Sequence, residues 1–81
     1  MYVAFVLDTS FSMGVRSDKG IPLLDIAKAA IETFISMRIR ITEGDDKFFL
    51  FTTDSAQHTI SSWQHPVEHL IHSLRQLTPT R

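Results

Sequence analysis

The run Met1-Tyr2-Val3-Ala4-Phe5-Val6-Leu7-Asp8-Thr9-Ser10-Phe11-Ser12-Met13 decides how this chain is read. Its first seven residues are apolar throughout, with Val3, Phe5 and Val6 among them. That pattern predicts a strand buried on both faces, as in a parallel sheet. An acid and two hydroxyls follow at once, spaced two apart. The carboxyl ends of strands are where open α/β sheets bind ligands. There the oxygens of Asp8, Ser10 and Ser12 can converge on a hard cation such as Mg²⁺. The same residue types also suit a turn or a helix cap, where they bond to nearby backbone. Three oxygens fall short of the six that Mg²⁺ takes, so water or other loops must supply the rest.

The other elements follow from that first strand. Gly14 to Gly20 is polar and reads as a loop. Pro22 suits a first helical turn. Apolar residues then recur at Leu23, Ala27, Ala30, Ile31, Phe34 and Ile41, with Leu24 and Ile35 on the stripe's edge, which predicts a helix ending at Gly44. Asp25 near its start and Arg38 and Arg40 near its end complement the helix dipole. Phe48-Phe49-Leu50-Phe51-Thr52-Thr53 predicts a second buried strand, and its phenylalanines are read as core. Asp54-Ser55-Ala56 can reverse the chain, so that Gln57 to Ile60 pairs as a short antiparallel edge strand. A second helix is expected from Pro66, with Val67, Leu70, Ile71, Leu74 and Leu77 on its apolar side and Pro79 at its end. The order strand-helix-strand-strand-helix implies an α/β fold with a right-handed crossover between the first two strands.

Composition narrows the function. The chain has 81 residues, no cysteine, 43% hydrophobic and 21% charged residues, and a formal net charge of −1. One domain is the most this length holds, and burial is limited at this size. Thiol catalysis, disulfides and cysteine zinc sites are excluded. The charge balance gives no footprint for nucleic acid or an anionic membrane. With no basic segment ahead of the first apolar run and no stretch long enough to span a bilayer, a soluble intracellular protein is expected.

Other candidate sites are weaker than the Asp8 loop. His65-Pro66-Val67-Glu68-His69 matches H-x-x-E-H, an inverted zinc-protease pattern. Helical geometry, however, sets His65, His69 and His72 opposite the apolar stripe, where they face solvent. A Ser-His-Asp set from Ser10, a histidine and Asp54 has no supporting local motif, and no Gly-rich phosphate loop is present. A metal-assisted hydrolase built on Asp8 is the alternative chemistry, but position 10, where a second acid would stand, is a serine. Trp63 is expected to pack against the first turn of a helix.

The stretch Asp8-Thr9-Ser10-Phe11-Ser12 resembles the D-x-S-x-S start of the metal-ion-dependent adhesion site in von Willebrand factor A domains. More narrowly, "LDTSFSM", "LLDIAKAAIETF", "GDDKFFLFTT" and "LIHSLRQL" resemble the amino-terminal end of the subunit-six family of the Integrator complex. The resemblance implies a Rossmann-like α/β domain and a non-catalytic protein-binding module. It makes Asp8, Ser10 and Ser12 first-loop ligands of Mg²⁺. A second-loop threonine and a third-loop aspartate complete the site in the family, often with a partner's carboxylate. Neither Thr78 nor Thr80 is assigned that threonine role. The implied setting is the nucleus, in small nuclear RNA 3′-end processing and RNA polymerase II regulation. The implied partners are other Integrator-type subunits and a phosphatase 2A core, with no direct nucleic acid and no membrane. Residues 1–81 are then expected to be a partial, truncated domain with an incomplete three-layer architecture. The resemblance puts the first strand at the centre of the sheet, so without later strands it should become an apolar edge. A fragment, a truncated gene product or a short gene model is the expectation, and a non-functional truncated fragment stands beside the hydrolase as an alternative to the binding module.

Overall fold

A computed structural model describes residues 1–53 and 59–79 of the chain. Strand β1 spans Tyr2–Leu7, helix α1 Leu23–Thr42, strand β2 Lys47–Thr52, strand β3 Thr59–Ser61 and helix α2 Val67–Gln76. A short 3₁₀ turn, Phe11–Gly14, follows β1. The sheet order is β1-β2-β3. β1 and β2 run parallel in unbroken register from Tyr2 opposite Lys47 to Leu7 opposite Thr52. β3 is antiparallel to β2, with Ser61 opposite Leu50 and Thr59 opposite Phe51 and an irregularity between those two pairs. The α/β order expected from the sequence is therefore observed. The predicted reversal at Asp54-Ser55-Ala56 lies outside the described residues.

Local chemistry explains the boundaries. Pro22 stands just before α1, where its missing N–H costs nothing because the first-turn donors have no helical partner. At the other end Glu43 and Gly44 both take positive φ, 55° and 86°, and turn the chain toward β2. Glycine adopts this conformation without a Cβ clash and so ends the helix cheaply. Pro66 opens α2 in the same way, and Leu77 ends it with extended backbone.

Helices α1 and α2 cover the same face of the sheet. Leu24 and Ile35 of α1 and Leu70 and Leu74 of α2 join Leu7, Phe48 and Leu50 in one buried cluster. Full burial of each such side chain contributes roughly 1.5–3 kcal/mol. The two helices are tied laterally as well. Lys28 Nζ donates to the carbonyls of Arg75 (3.1 Å) and Leu77 (2.9 Å), satisfying orphan acceptors at the end of α2.

Four expectations need correction here. β1 is not buried on both faces. Val3, Phe5 and Leu7 turn toward the helices, while Tyr2 and Val6 are 71% and 70% exposed on the other side. Two layers are present among the described residues, and strand side chains alternate across the sheet, so only one set is covered. For the same reason Phe48 is buried while Phe49 and Phe51 are only half-buried. The buried stripe of α1 is also rotated from the predicted one. Leu24 and Ile35 are its centre, flanked by Ala27, Ile31 and Ile39, whereas Leu23, Phe34 and Ile41 are exposed. α1 is apolar over more than one stripe, and contact with α2 along the Lys28 and Glu32 side selects which one faces inward. Trp63, finally, packs on the sheet rather than on a helix turn. Its ring centroid lies 5.3 Å from that of Tyr2 and 5.2 Å from that of Phe49. β1 pairs only with β2 among the described residues, and so forms the apolar edge that the resemblance implied.

Candidate metal centre

The parallel register decides where the candidate ligands stand. Leu7 and Thr52 are the last paired residues of β1 and β2. One more rung, Thr53 N–H to Leu7 O at 3.2 Å, brings Asp8 and Thr53 to the same end of the sheet. Past Asp8 the chain enters the 3₁₀ turn, whose first bond runs from Met13 N–H to Ser10 O at 2.9 Å. That turn folds Ser12 back toward Ser10.

All three sequence-predicted residues come together. Ser10 N–H donates to Asp8 Oδ1 at 2.8 Å. The hydroxyls of Ser10 and Ser12 are 2.9 Å apart. Asp8, Ser10 and Ser12 are all exposed. The Asp8 carboxyl is held below its ordinary value of 3.8, first by the Ser10 amide, then by the Ser10 hydroxyl, with Thr53 adding a smaller pull in the same direction. Hydrogen bonds to the charged form favour it, so Asp8 is a carboxylate at neutral pH.

The donor set fits a hard cation. It is one carboxylate and two hydroxyls, all oxygen, which suits Mg²⁺ and not a soft metal. Adjacent corners of an octahedron with bonds near 2.1 Å lie about 3.0 Å apart. The Ser10 and Ser12 hydroxyl oxygens, hydrogen-bonded to each other at 2.9 Å, are close to that spacing.

Two features of this loop are not apparent in the sequence pattern. Thr53 Oγ1 accepts from Thr9 N–H and donates to Asp8 Oδ1, both at 3.1 Å. Only the register reveals that pairing, because the two residues are 45 apart in the chain. Thr9 itself points to the core side and is buried, and its hydroxyl finds no partner among the described residues. Alternation continued two residues beyond Leu7 places it inward, but not without a bonding partner.

Of the three candidate histidines, His65 stands just before α2 and His69 and His72 lie on it. His65, His69 and His72 are exposed. The rings of His65 and His69 stack 4.2 Å apart. His65 Nδ1 accepts from Ser62 N–H at 3.1 Å, and His69 Nδ1 lies 3.2 Å from Ser61 Oγ. Among the described residues no three His, Cys, Asp or Glu side chains are placed to hold a metal together. Asp54, the acid of the Ser-His-Asp set, lies outside the described residues.

A second carboxylate, missed in the sequence, sits at the opposite end of the sheet. Asp46 precedes β2 and its side chain is 2% exposed. Arg38 approaches it with Nε to Oδ2 at 2.9 Å and a second nitrogen to Oδ1 at 3.1 Å. The Met1 ammonium lies 3.1 Å from Oδ1. The Thr42 hydroxyl is shared between Arg38 O and Asp46 Oδ2, at 2.8 and 3.1 Å. Arg38 above all pulls the Asp46 carboxyl down, burial opposes it, and the value settles at about 2. A hollow of about 160 Å³ opens beside this network, between Phe48, Ser61 and Val67.

An α/β sheet carrying an acid and two serines in D-x-S-x-S order at the end of its first strand defines a class. The chain belongs to the von Willebrand factor type A domain family, which matches it over residues 3–81. Among curated proteins it is similar to the Integrator complex subunit 6 homolog of Dictyostelium discoideum, with 46% identity over 55 residues, or 67% of this chain and 5% of that protein. It is also similar to the Integrator complex subunit 6-like protein of Mus musculus, 36% identical over 75 residues, and to Integrator complex subunit 6-A of Xenopus laevis, 37% identical over 75 residues. Each of these alignments covers 90% of this chain, and 9% and 8% of the respective relative. The chain thus spans less than a tenth of the length of these relatives.

Proposed function

We propose that this chain is a non-catalytic protein-binding module of an Integrator-complex-like subunit, with Asp8, Ser10 and Ser12 as the first-loop ligands of a partial, Mg²⁺-binding adhesion site. The observation that carries the reading is the pair of serine hydroxyls at cation-ligand spacing beside an ionised, backbone-bonded Asp8. Asp8 supplies the charge, and Ser10 and Ser12 supply neutral oxygens. The Ser10 amide keeps Asp8 from rotating away. A bound Mg²⁺ would offer an open position to an oxygen ligand from a partner, such as a carboxylate. The partner class is other Integrator-type subunits and a phosphatase 2A core. The setting is the nucleus, in small nuclear RNA 3′-end processing and RNA polymerase II regulation. Similarity to the subunit 6 proteins supports this part of the reading. With a net charge of −1, the module is not expected to bind nucleic acid directly.

Titrating Mn²⁺ and Mg²⁺ into the wild-type chain and the Asp8→Ala variant tests the cation. Saturable binding by the wild type and at least a tenfold loss in the variant is expected. Equal, negligible uptake by both sinks the cation part. Pull-down of Integrator subunits with the same two proteins tests the partner part separately.

A further inference from the structure

We propose that Thr53 is a positioning residue of the Asp8 cation site, acting through the Asp8 carboxylate; this rests on the cation reading above. Thr53 stands just past the end of β2, where the rung to Leu7 O fixes its backbone. Its hydroxyl makes two bonds whose directions are forced. Thr9 N–H can only donate, so Thr53 Oγ1 accepts it. With its acceptor capacity given to Thr9, the Thr53 hydroxyl donates its one proton to Asp8 Oδ1 at 3.1 Å.

The consequence lies in how the carboxylate is shared. Oδ1 receives both Ser10 N–H and Thr53 Oγ1–H. These two bonds go to the same oxygen, so Oδ2 is the atom offered to the cation beside the Ser10 and Ser12 hydroxyls. Thr53 also grips the Thr9 amide, so the turn that carries the ligands is fastened at two adjacent points to the end of a paired strand. A ligand held from behind on a rigid element keeps its direction, and outer-shell partners of this kind typically set 10–100-fold in metal affinity. Nothing in the D-x-S-x-S pattern points to Thr53, because it contacts the site from another strand.

The experiment compares Thr53→Val, which keeps the shape and removes the hydroxyl, with Thr53→Ser, which keeps the hydroxyl. Mn²⁺ affinity is measured by calorimetry on the full chain, with thermal melts in cation-free buffer alongside. Thr53 is exposed, so both variants should melt close to the wild type. The expected result is a loss of about tenfold or more for Thr53→Val and about threefold at most for Thr53→Ser. A Thr53→Val protein that binds Mn²⁺ as well as wild type overturns the proposal while leaving the cation reading intact. An equal loss in both variants overturns it too, since the hydroxyl would then not be what matters. A wild type that takes up no Mn²⁺ overturns the cation reading and the Thr53 role with it.

Discussion

Asp8 and Asp46 stand at opposite ends of one parallel strand pair, and their partners differ in charge. Asp46 is buried against the Arg38 guanidinium and the Met1 ammonium, with Thr42 completing its set. Asp8 is exposed, and among the described residues its donors are neutral: the Ser10 amide and hydroxyl and the Thr53 hydroxyl. Both carboxyls are pulled below their ordinary value, so a lowered pKa alone does not distinguish them. What does is the identity of the compensating group. A carboxylate already neutralised by the protein's own cations is a structural joint, whereas one oriented by dipoles keeps its full charge for a cation from outside.

The strongest way to break the comparison is to remove the scaffold that both acids hang from. Leu50 lies mid-strand in β2, fully buried beneath both helices. Leu50→Ala should cost about 2–5 kcal/mol in urea unfolding and disturb both ends together. Asp46→Asn should come next. Its melting temperature at pH 7 should fall below that of wild type, because the half-buried Arg38 loses its counter-charge. The pH dependence follows from the direction of the shift. The folded carboxyl titrates at about 2, below its ordinary 3.8, so its stabilisation is fully present above pH 3.8. That stabilisation fades as pH drops from there through about 2, and the gap between wild type and Asp46→Asn should close over the same interval. A gap that persists unchanged at pH 2 would show that charge is not what Asp46 contributes.

Smaller effects sharpen the contrast at the other end. Thr9→Val removes a buried hydroxyl that has no described partner while keeping the side-chain shape. It should raise stability by about 1 kcal/mol, read as a higher urea midpoint, because an unsatisfied buried polar group is unfavourable. The Asp8→Ala protein made for the titration should show the least change of all in its cation-free melting temperature. If Asp8→Ala melted as far below wild type as Asp46→Asn does, the division into structural joint and cation ligand would collapse.

Much of this organisation was legible because it is local. Pro22 and Gly44 bound α1, Pro66 and Pro79 bound α2, and the acid and serines of the first loop are close neighbours in the chain. Neighbours that close are brought together by one turn of backbone, whatever the rest of the molecule does. Features set by distant contacts were not legible. The inward face of α1 depends on where α2 lies, because α1 offers more than one apolar stripe. Thr53 joins Asp8 only through the exact β1–β2 register, and a slip of one residue would have turned its hydroxyl to the opposite face. In the sequence Asp46 is one of three charged residues, Asp45-Asp46-Lys47, that lead into the second apolar run. Its burial follows from Arg38 lying eight residues earlier at the end of α1 and reaching across it. The both-sided burial expected of β1 failed because an apolar run records what a strand can bury, not what the described layers cover.

The single tryptophan sits on the uncovered side of the sheet, with Tyr2 and Phe49 as ring neighbours. That position makes Trp63 a built-in optical gauge. Its emission responds to the polarity around the indole, and Tyr2 is close enough to pass excitation to it. β1 is six residues long, about 20 Å, and Trp63 lies near its start while Asp8 lies past its end. Light from Trp63 therefore reads events on the open sheet face, such as another surface coming to rest there, with little interference from the cation loop. Label-free fluorescence and cation titration can follow the two ends of this small protein in the same cuvette.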